Sequence, residues 1–377
     1  MLLNDFRLEV HFSKWEFTAR HNLAASDCES MPMRELLAMA DDADRAAWHD
    51  LRLGYTETRG SPGLREAIAA TYDRIDPADV ICFTGAQEGI FCAMHALLEP
   101  DDHAVVLVPN YQSLEEVPLS ICDVTGVPLR EEQGWTLDLD ELRRALRPET
   151  RLIAVNFPNN PTGAMIDRGS WSQLLDLAAE RGIPFFSDEV YRGLERRPDA
   201  VLPQAADRCE QGMSLGVMSK AYGLAGLRVG WIACRDRELL SRMERVKHYL
   251  SICGTAPSEL LARIALKARE RLLERNRRIT TDNLTRLLEF FGRHAEQFEW
   301  YVPDGGCTMY PRYRGEEGVE EFCRGAVEEA GVLLLPGSLY RSRLLPVAED
   351  RFRIGFGRAA FTEGLEALER HLATVHT

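Results

Sequence analysis

The sequence predicts an α/β protein with a mostly parallel central sheet flanked by helices, followed by a smaller α+β domain. Between Asp79 and Cys234, short β-branched runs alternate with amphipathic stretches, which is typical of a parallel sheet that helices cover on both faces. After Pro257, a charge-rich helical stretch from Glu259 to Phe291 precedes short strand-like runs. The predicted division is an amino-terminal segment that joins the small domain (1–40), a large domain (41–265) and a small carboxy-terminal domain (266–377).

Each predicted element rests on its hydrophobic period and on the residues at its ends. The predicted strands of the large sheet are Val80–Thr84, Ala104–Val108, Leu152–Phe157, Phe185–Ser187, Ser214–Met218 and Val229–Cys234. The predicted helices between them are Gln87–Leu98, Leu139–Leu146 and Ser170–Arg181, the last capped by its serine and ended by Gly182. In the small domain we predict strands near Phe298–Val302, Cys307–Tyr313, Val332–Leu335 and Phe352–Phe356, and helices Val319–Ala330 and Glu363–Val375.

Composition argues against several classes of protein. The chain of 377 residues carries 59 acidic and 45 basic residues, a net charge of −14, which argues against binding to nucleic acids or anionic membranes. Its apolar runs are far shorter than the roughly 18 residues that span a bilayer, and Asp5, Arg7 and Glu9 lie where a signal peptide needs apolar residues. The nine cysteines form no Cys-x-x-Cys pair and are interpreted as reduced thiols. We therefore predict a cytoplasmic protein without a membrane or nucleic-acid partner, and the scattered histidines predict no metal site.

Four segments place polar residues at predicted strand ends, where open α/β sheets bind their ligands. The first is Asn156-Phe157-Pro158-Asn159-Asn160-Pro161-Thr162-Gly163, which by itself could equally be an ordinary turn. In the second, Asp188 ends an apolar strand just before Glu189-Val190-Tyr191. A carboxylate at that place is seldom stable without a cationic partner, although a helix cap is the alternative interpretation.

The third segment, from Met218 to Gly230, places Lys220 at the end of one strand and Arg228 at the start of the next. The chain has only four lysines, and one at a strand end is a candidate Schiff-base nucleophile; the alternative is a solvated side chain. The fourth segment, from Phe83 to Gly89, is a strand, a glycine turn and a helix start. It could present backbone N–H groups to an anion such as phosphate, although many harmless turns look the same.

Together, the four segments resemble the class I and II aminotransferases of fold type I, which use pyridoxal 5′-phosphate (PLP). The likeness extends from about Gly54 to Arg353. It implies that Lys220 forms an aldimine with PLP and moves the proton between Cα and C4′, and that Asp188 keeps the pyridine nitrogen protonated. It also implies that Asn160 and Tyr191 hydrogen-bond the phenolic oxygen of the cofactor.

The same resemblance implies the remaining contacts to cofactor and substrate. Tyr111 would stack on the ring. Ala86 and Gln87 would give backbone N–H groups to the phosphate, and Arg228 would be its cation. Arg353 would bind the substrate carboxylate through two hydrogen bonds, and Asn160 would also contact the substrate. Tyr55 would reach the phosphate of the neighbouring subunit, which implies a homodimer with shared active sites.

The chain departs from the family pattern at two places. Val217 stands where the family usually has a hydroxyl residue for the phosphate, and Ser219, next to the lysine, is the possible substitute. The segment from Leu23 to Glu29 replaces the glycine-bearing loop that many relatives place over the substrate. The run Gly355-Phe356-Gly357-Arg358-Ala359-Ala360 matches a dinucleotide-binding pattern, but only one more helix follows it. We interpret its glycines as packing residues.

The predicted function is a PLP-dependent aminotransferase that moves an amino group between an amino acid and a 2-oxo acid. Relatives with the same lysine, aspartate and tyrosine also catalyse elimination, cyclisation or oxidation, so that alternative stays open. A third possibility, the ligand-sensing domain of a transcription regulator, is disfavoured by the net charge of −14 and by the presence of Lys220.

Overall fold

The computed structural model describes residues 3–375, and the chain begins with a mainly helical segment. Its elements are helix α1 (Arg7–Trp15), strand β1 (His21–Asn22) and helices α2 (Met33–Leu37), α3 (Asp42–His49) and α4 (Pro62–Ala69). Strand β1 pairs in parallel with Val332–Leu333 near the carboxy terminus, whereas α2, α3 and α4 contact the helix Ala256–Lys267. The first 40 residues therefore touch both parts of the protein, and the division at residues 40 and 265 stays a prediction.

An eight-stranded sheet forms the centre of the large domain. Its strands are β2 (Val80–Phe83), β3 (His103–Val108), β4 (Asp123–Arg130), β5 (Thr136–Leu137), β6 (Thr150–Asn156), β7 (Phe185–Asp188), β8 (Gly212–Val217) and β9 (Gly230–Ala233). They lie in the order β2-β9-β8-β7-β6-β3-β4-β5. The five strands from β8 to β4 are parallel, and β9, β2 and β5 are antiparallel to their neighbours. This confirms the predicted fold class.

Strands β4 and β5 were not predicted, and the composition of β4 explains why. This outer strand contains Gly126 and Pro128 and is only partly buried, and both residue types weaken the sequence signal of a strand. The central strands are mainly apolar, as expected for a sheet whose two faces are both covered. Val106 and Ala154 face one core, whereas their neighbours Val105 and Ile153 face the other.

Helices cover the sheet between its strands. They are α5 (Ala86–Leu97), α6 (Ser113–Leu119), α7 (Leu139–Ala145), α8 (Arg168–Arg181), α9 (Ala205–Arg208) and α10 (Arg237–Lys247). The predicted serine cap of α8 is wrong: the side chain of Asp167 accepts hydrogen bonds from the N–H groups of Gly169 and Ser170 at 2.9 and 3.0 Å. A carboxylate at this position satisfies two free N–H groups and interacts favourably with the helix dipole. The predicted end at Gly182 is confirmed by its φ of +62°.

The carboxy-terminal part is an α+β unit. The predicted helical stretch is two helices, α11 (Ala256–Lys267) and α12 (Arg269–Arg293), which meet at Ala268. The elements after them are strands β10 (Phe298–Glu299), β11 (Thr308–Met309) and β12 (Arg312–Tyr313), helix α13 (Gly318–Glu328), strands β13 (Val332–Leu333), β14 (Leu335–Pro336) and β15 (Phe352–Gly355), and helix α14 (Phe361–Val375). Within residues 3–375, no helix is both long enough and apolar enough to cross a membrane.

Candidate active site

A cavity of about 370 Å³ opens where the carboxyl ends of β6 and β7 face helix α1. It brings together every predicted site residue except Tyr55. The predicted residues that line it are Ala86, Gln87, Tyr111, Asn160, Asp188, Tyr191, Ser219, Lys220, Arg228 and Arg353. Tyr55 lies outside the cavity, with 94% of its surface exposed. The predicted residues are far apart in the sequence, and the sheet brings them together because the carboxyl ends of its parallel strands share one edge.

Lys220 is the one lysine that reaches the cavity, and all four lysines lie within residues 3–375. Its Nζ donates a hydrogen bond to Ser26 Oγ at 2.8 Å. Burial lowers the pKa of Lys220, because desolvation disfavours the ammonium form. The other lysines have other contacts: Lys14 with the Trp15 ring, Lys247 with the Cys82 carbonyl and Lys267 with the Asp44 carboxylate. Lys220 therefore supplies the amine of the site, with a raised fraction of the neutral, nucleophilic form.

Asp188 lies at the end of β7, with 4% of its surface exposed. Burial raises the pKa of its carboxyl to about 7, and the nearby Lys220 acts in the opposite direction. Its Oδ1 accepts a hydrogen bond from the Val190 N–H at 3.2 Å. The residues after Asp188 form a turn and not a helix, so the helix-cap interpretation is wrong. A buried carboxylate in this setting is well suited to a ligand group that carries positive charge.

Arg353 and Tyr191 fasten the amino-terminal segment to the site. The Arg353 guanidinium donates from Nη2 to the Ala24 carbonyl at 2.6 Å and from Nη1 to Asn160 Oδ1 at 3.1 Å. The Tyr191 hydroxyl donates to the Ser26 carbonyl at 2.9 Å. Arg353 is 1% exposed, yet its Nε has no hydrogen-bond partner among the described residues. This buried cation at the cavity wall keeps a donor available for an anionic group.

The amino end of α5 and Arg228 form an anion-binding corner. Gly85 has φ +85°, and a side chain at this position would collide with the Arg228 guanidinium. At Gly230, a Cβ atom would lie 2.8 Å from the Ala86 nitrogen. The glycines therefore let a cation and the free N–H groups of a helix end face the same space, which suits a phosphate. Val217 is buried and does not line this cavity, whereas Ser219 does.

The donor set fits PLP. The cavity combines a lysine amine, a buried carboxylate and the anion-binding corner, and Gln87 Oε1 is buried in its wall without a hydrogen-bond partner in the described part of the chain. Ala86, Gln87 and Arg228 would hold the phosphate, Asp188 would pair with the pyridine nitrogen and Lys220 would supply the amine for the aldehyde. When bound, PLP supplies an electron sink for carbanion chemistry at the Cα of an amino acid.

Sequence reasoning missed the contribution of the first helix to the cavity: Leu8, Glu9 and Phe12 of α1 and Glu16 directly after it. It singled out the segment from Leu23 to Glu29 but gave no role to Ala25, Ser26 and Asp27, which also line the cavity. The glycines of the dinucleotide-like motif explain how this segment is held: a side chain at Gly355 would collide with the Ala25 carbonyl, and one at Gly357 with the Asp27 carbonyl. Their interpretation as packing residues agrees with this geometry. A local signal for these contacts is absent, because they join residues more than 300 positions apart in the sequence.

The fold and the site together define a PLP-dependent enzyme of fold type I. The family model "aminotransferase class I and II" matches residues 21–368, so the chain belongs to that family. Capreomycidine synthase of Streptomyces vinaceus is 33% identical over 369 residues, which cover 95% of this chain and 91% of that protein.

Two solved structures resemble the chain over nearly its whole length. A PLP-dependent aminotransferase from Streptococcus suis superposes with a TM-score of 0.91 at 29% identity and covers 99% of each chain. The PLP-dependent cyclase OrfR superposes with a TM-score of 0.90 at 27% identity, over 100% of this chain and 98% of that one. The predicted family, fold type and cofactor are confirmed.

Proposed function

We propose that the protein is an aminotransferase that moves an amino group from an amino acid to a 2-oxo acid. The observation that carries the proposal is the position of the Lys220 amine, which faces the same cavity as Asp188 and Arg353. In this proposal Lys220 removes the proton from the substrate Cα and delivers it to C4′ of the cofactor. Burial lowers the pKa of Lys220, which suits both steps because it raises the fraction of the neutral amine that accepts a proton and makes the ammonium release it more readily.

The other residues of the cavity hold the reacting groups in place. Asp188 keeps the pyridine nitrogen protonated, and the Arg353 guanidinium binds the substrate carboxylate, where its Nε is free to donate. Asn160 and Tyr191 would hydrogen-bond the phenolic oxygen of the cofactor, and Tyr111 would stack on its ring; all three line the cavity. Each of these roles is a proposal from the contacts of the residue and from the family pattern.

The test is a single-turnover spectrum of the holoenzyme with a panel of amino acids. Loss of the PLP absorbance, gain of the pyridoxamine phosphate absorbance and release of one equivalent of 2-oxo acid would support transamination. Recovery of the first spectrum upon addition of a 2-oxo acid completes the cycle. Continuous turnover of an amino acid without any pyridoxamine form would contradict the proposal.

Cyclisation or elimination is the second candidate, and two of the similar proteins support it. A protein named capreomycidine synthase matches 95% of the chain, and a PLP-dependent cyclase superposes over all of it. Such reactions use the same proton transfer at Cα but return the cofactor unchanged. In the single-turnover experiment they would give a cyclic or unsaturated product, without an oxo acid acceptor.

We further propose that the protein is a homodimer. Leu53, Tyr55, Tyr249 and Ile252 form an exposed apolar patch in two neighbouring loops, which are joined by a hydrogen bond from Thr56 Oγ1 to the Gly254 carbonyl at 3.1 Å. A cluster of exposed aromatic and aliphatic side chains is typical of an interface. Two-fold symmetry would bring the same patch of each subunit together, in an interface of more than roughly 2,000 Å².

Replacement of Tyr55 by phenylalanine is expected to weaken PLP retention while leaving the covalent attachment to Lys220 possible. The change removes one hydrogen bond to a charged phosphate, worth about 1–3 kcal/mol, and should raise the Kd of PLP about five- to hundredfold. Equilibrium dialysis against PLP measures this effect, and Tyr249→Phe is the matched control. Light scattering should give twice the chain mass of 42.6 kDa. A fully active monomer would refute the shared site.

We also infer a cytoplasmic location. All nine cysteines are free thiols, which is usual for a reducing compartment.

A further inference from the structure

Helix α1 presents two carboxylates to the candidate active site. Glu9 lies in the first turn of α1, and Glu16 directly follows the helix and keeps a helical backbone conformation. Seven residues are about two helical turns, so the two carboxylates lie on one face. Leu8 and Phe12 line the same cavity, which contains Lys220. Neither carboxylate forms an ion pair or a side-chain hydrogen bond with any residue of the described range.

The other charged groups of the cavity are all accounted for. Asp27 is paired with the Arg358 guanidinium through two hydrogen bonds of 3.0 and 2.9 Å. In the proposed function, Asp188 serves the pyridine nitrogen, Arg228 the phosphate and Arg353 the substrate carboxylate. Lys220 is consumed in binding the cofactor. Glu9 and Glu16 are then the charges of the cavity that remain without a partner.

The electrostatics of Glu16 agree with this account. Burial and the negative charges of Glu9 and Asp27 raise the pKa of Glu16, against the weaker opposing effects of Arg358 and Lys220. Burial, and after it the charge of Glu9, raises the pKa of the Tyr111 hydroxyl, which lines the same cavity. The negative charge of Glu9 therefore reaches the space inside the cavity, where a cation would be attracted.

From this arrangement we infer that the substrate is an amino acid whose side chain ends in a cation, a guanidinium or an ammonium group. The inference rests on the proposed function for the position of the α-carboxylate at Arg353. That buried arginine, with its unpartnered Nε, marks one end of the substrate. Glu9 and Glu16 line the same cavity, and the apolar surfaces of Leu8 and Phe12 fit the methylene chain of such a substrate.

The same carboxylates disfavour acidic substrates. A second carboxylate on the substrate would meet two unpaired negative charges, and a neutral side chain would leave them uncompensated when water is displaced. The expected order of preference is therefore cationic, then neutral, then acidic.

The experiment compares ligands that differ only in charge, with the holoenzyme. Calorimetry measures the binding of 5-guanidinopentanoate and of its neutral isostere 5-ureidopentanoate, which lack the amino group and do not react. We expect the guanidino compound to bind at least about tenfold more tightly at low salt, because hydrogen bonds between charged groups are strong. The advantage should shrink as salt is added. Single-turnover rates with L-arginine, L-lysine and L-citrulline then separate a guanidinium preference from an ammonium preference.

The double variant Glu9→Gln, Glu16→Gln should bring the ratio of the two affinities close to one. The matched control Glu366→Gln removes an exposed carboxylate of α14 and should keep the parental ratio. Equal affinities in the parent, or an unchanged ratio in the double variant, would overturn the inference. Selective guanidino binding without any oxo acid from L-arginine would instead support the inference and contradict transamination.

Discussion

Replacing Lys220 by alanine is expected to abolish the covalent attachment of PLP and to lower kcat by at least about a thousandfold, or about 4 kcal/mol in activation free energy. The reason is geometric: the other three lysines, all within the described residues, have contacts elsewhere, so no second lysine reaches the cavity. Borohydride reduction followed by peptide mapping is the measurement, and it should find the pyridoxyl label on Lys220 alone in the parent.

The matched control is Lys14→Ala, which removes an exposed lysine that lies over the Trp15 ring. This variant should keep the label and the activity of the parent. Lys220→Arg keeps the positive charge beside Ser26 but cannot form the covalent bond, so it should be as inactive as the alanine variant. A label on Lys14, Lys247 or Lys267 would contradict the assignment.

The second large effect is expected at Asp188. Asp188→Ala should fold but should lose at least about a hundredfold in kcat, because the pyridine nitrogen would no longer stay protonated and the carbanion would lose its electron sink. Steady-state kinetics with saturating PLP measure the loss. A rate within about tenfold of the parent, a change of about 1.4 kcal/mol in the barrier, would show that the carboxylate is not needed for catalysis.

The burial of the Asp188 carboxyl can be tested independently through the pH dependence of the stability of the apoprotein. Burial raises the pKa from 3.8 to about 7, so the folded state binds the proton more tightly than the unfolded chain. The stability from this group is complete below about pH 4 and is lost as the pH rises through about 7. At pH 8 the Asp188→Asn apoprotein should therefore be more stable than the parent apoprotein, by about 1–4 kcal/mol. Equal urea midpoints across this range would show that the carboxylate is not desolvated as described.

Much of the fold could be predicted from the sequence because the central strands are buried on both faces. A strand such as β6 reads as an apolar run, and its partner helices carry their own periodicity and end signals. The predicted ends of helices were least accurate where two nearby side chains could each act as the N-cap. Asp167, and not Ser170, caps α8, because the helix begins at Arg168 and the Asp167 carboxylate accepts from the N–H groups of Gly169 and Ser170. The break between α11 and α12 at Ala268 was not predicted, because no proline or glycine marks it in the sequence.

The sequence by itself was enough to predict the chemical centre proposed for this protein. Lys220, Asp188, Asn160 and Arg228 lie at the end of an apolar strand or within a few residues of one, and such polar residues can be recognised from the sequence alone. Only the tertiary structure decided what surrounds that centre. Ser26 meets Lys220, and Glu9 and Glu16 face the same cavity, because the amino-terminal segment crosses back over the sheet. Such contacts depend on how distant segments pack in three dimensions. Local propensity and hydrophobic periodicity identify an amphipathic helix, but they do not tell which carboxylate on its polar face will line a ligand cavity.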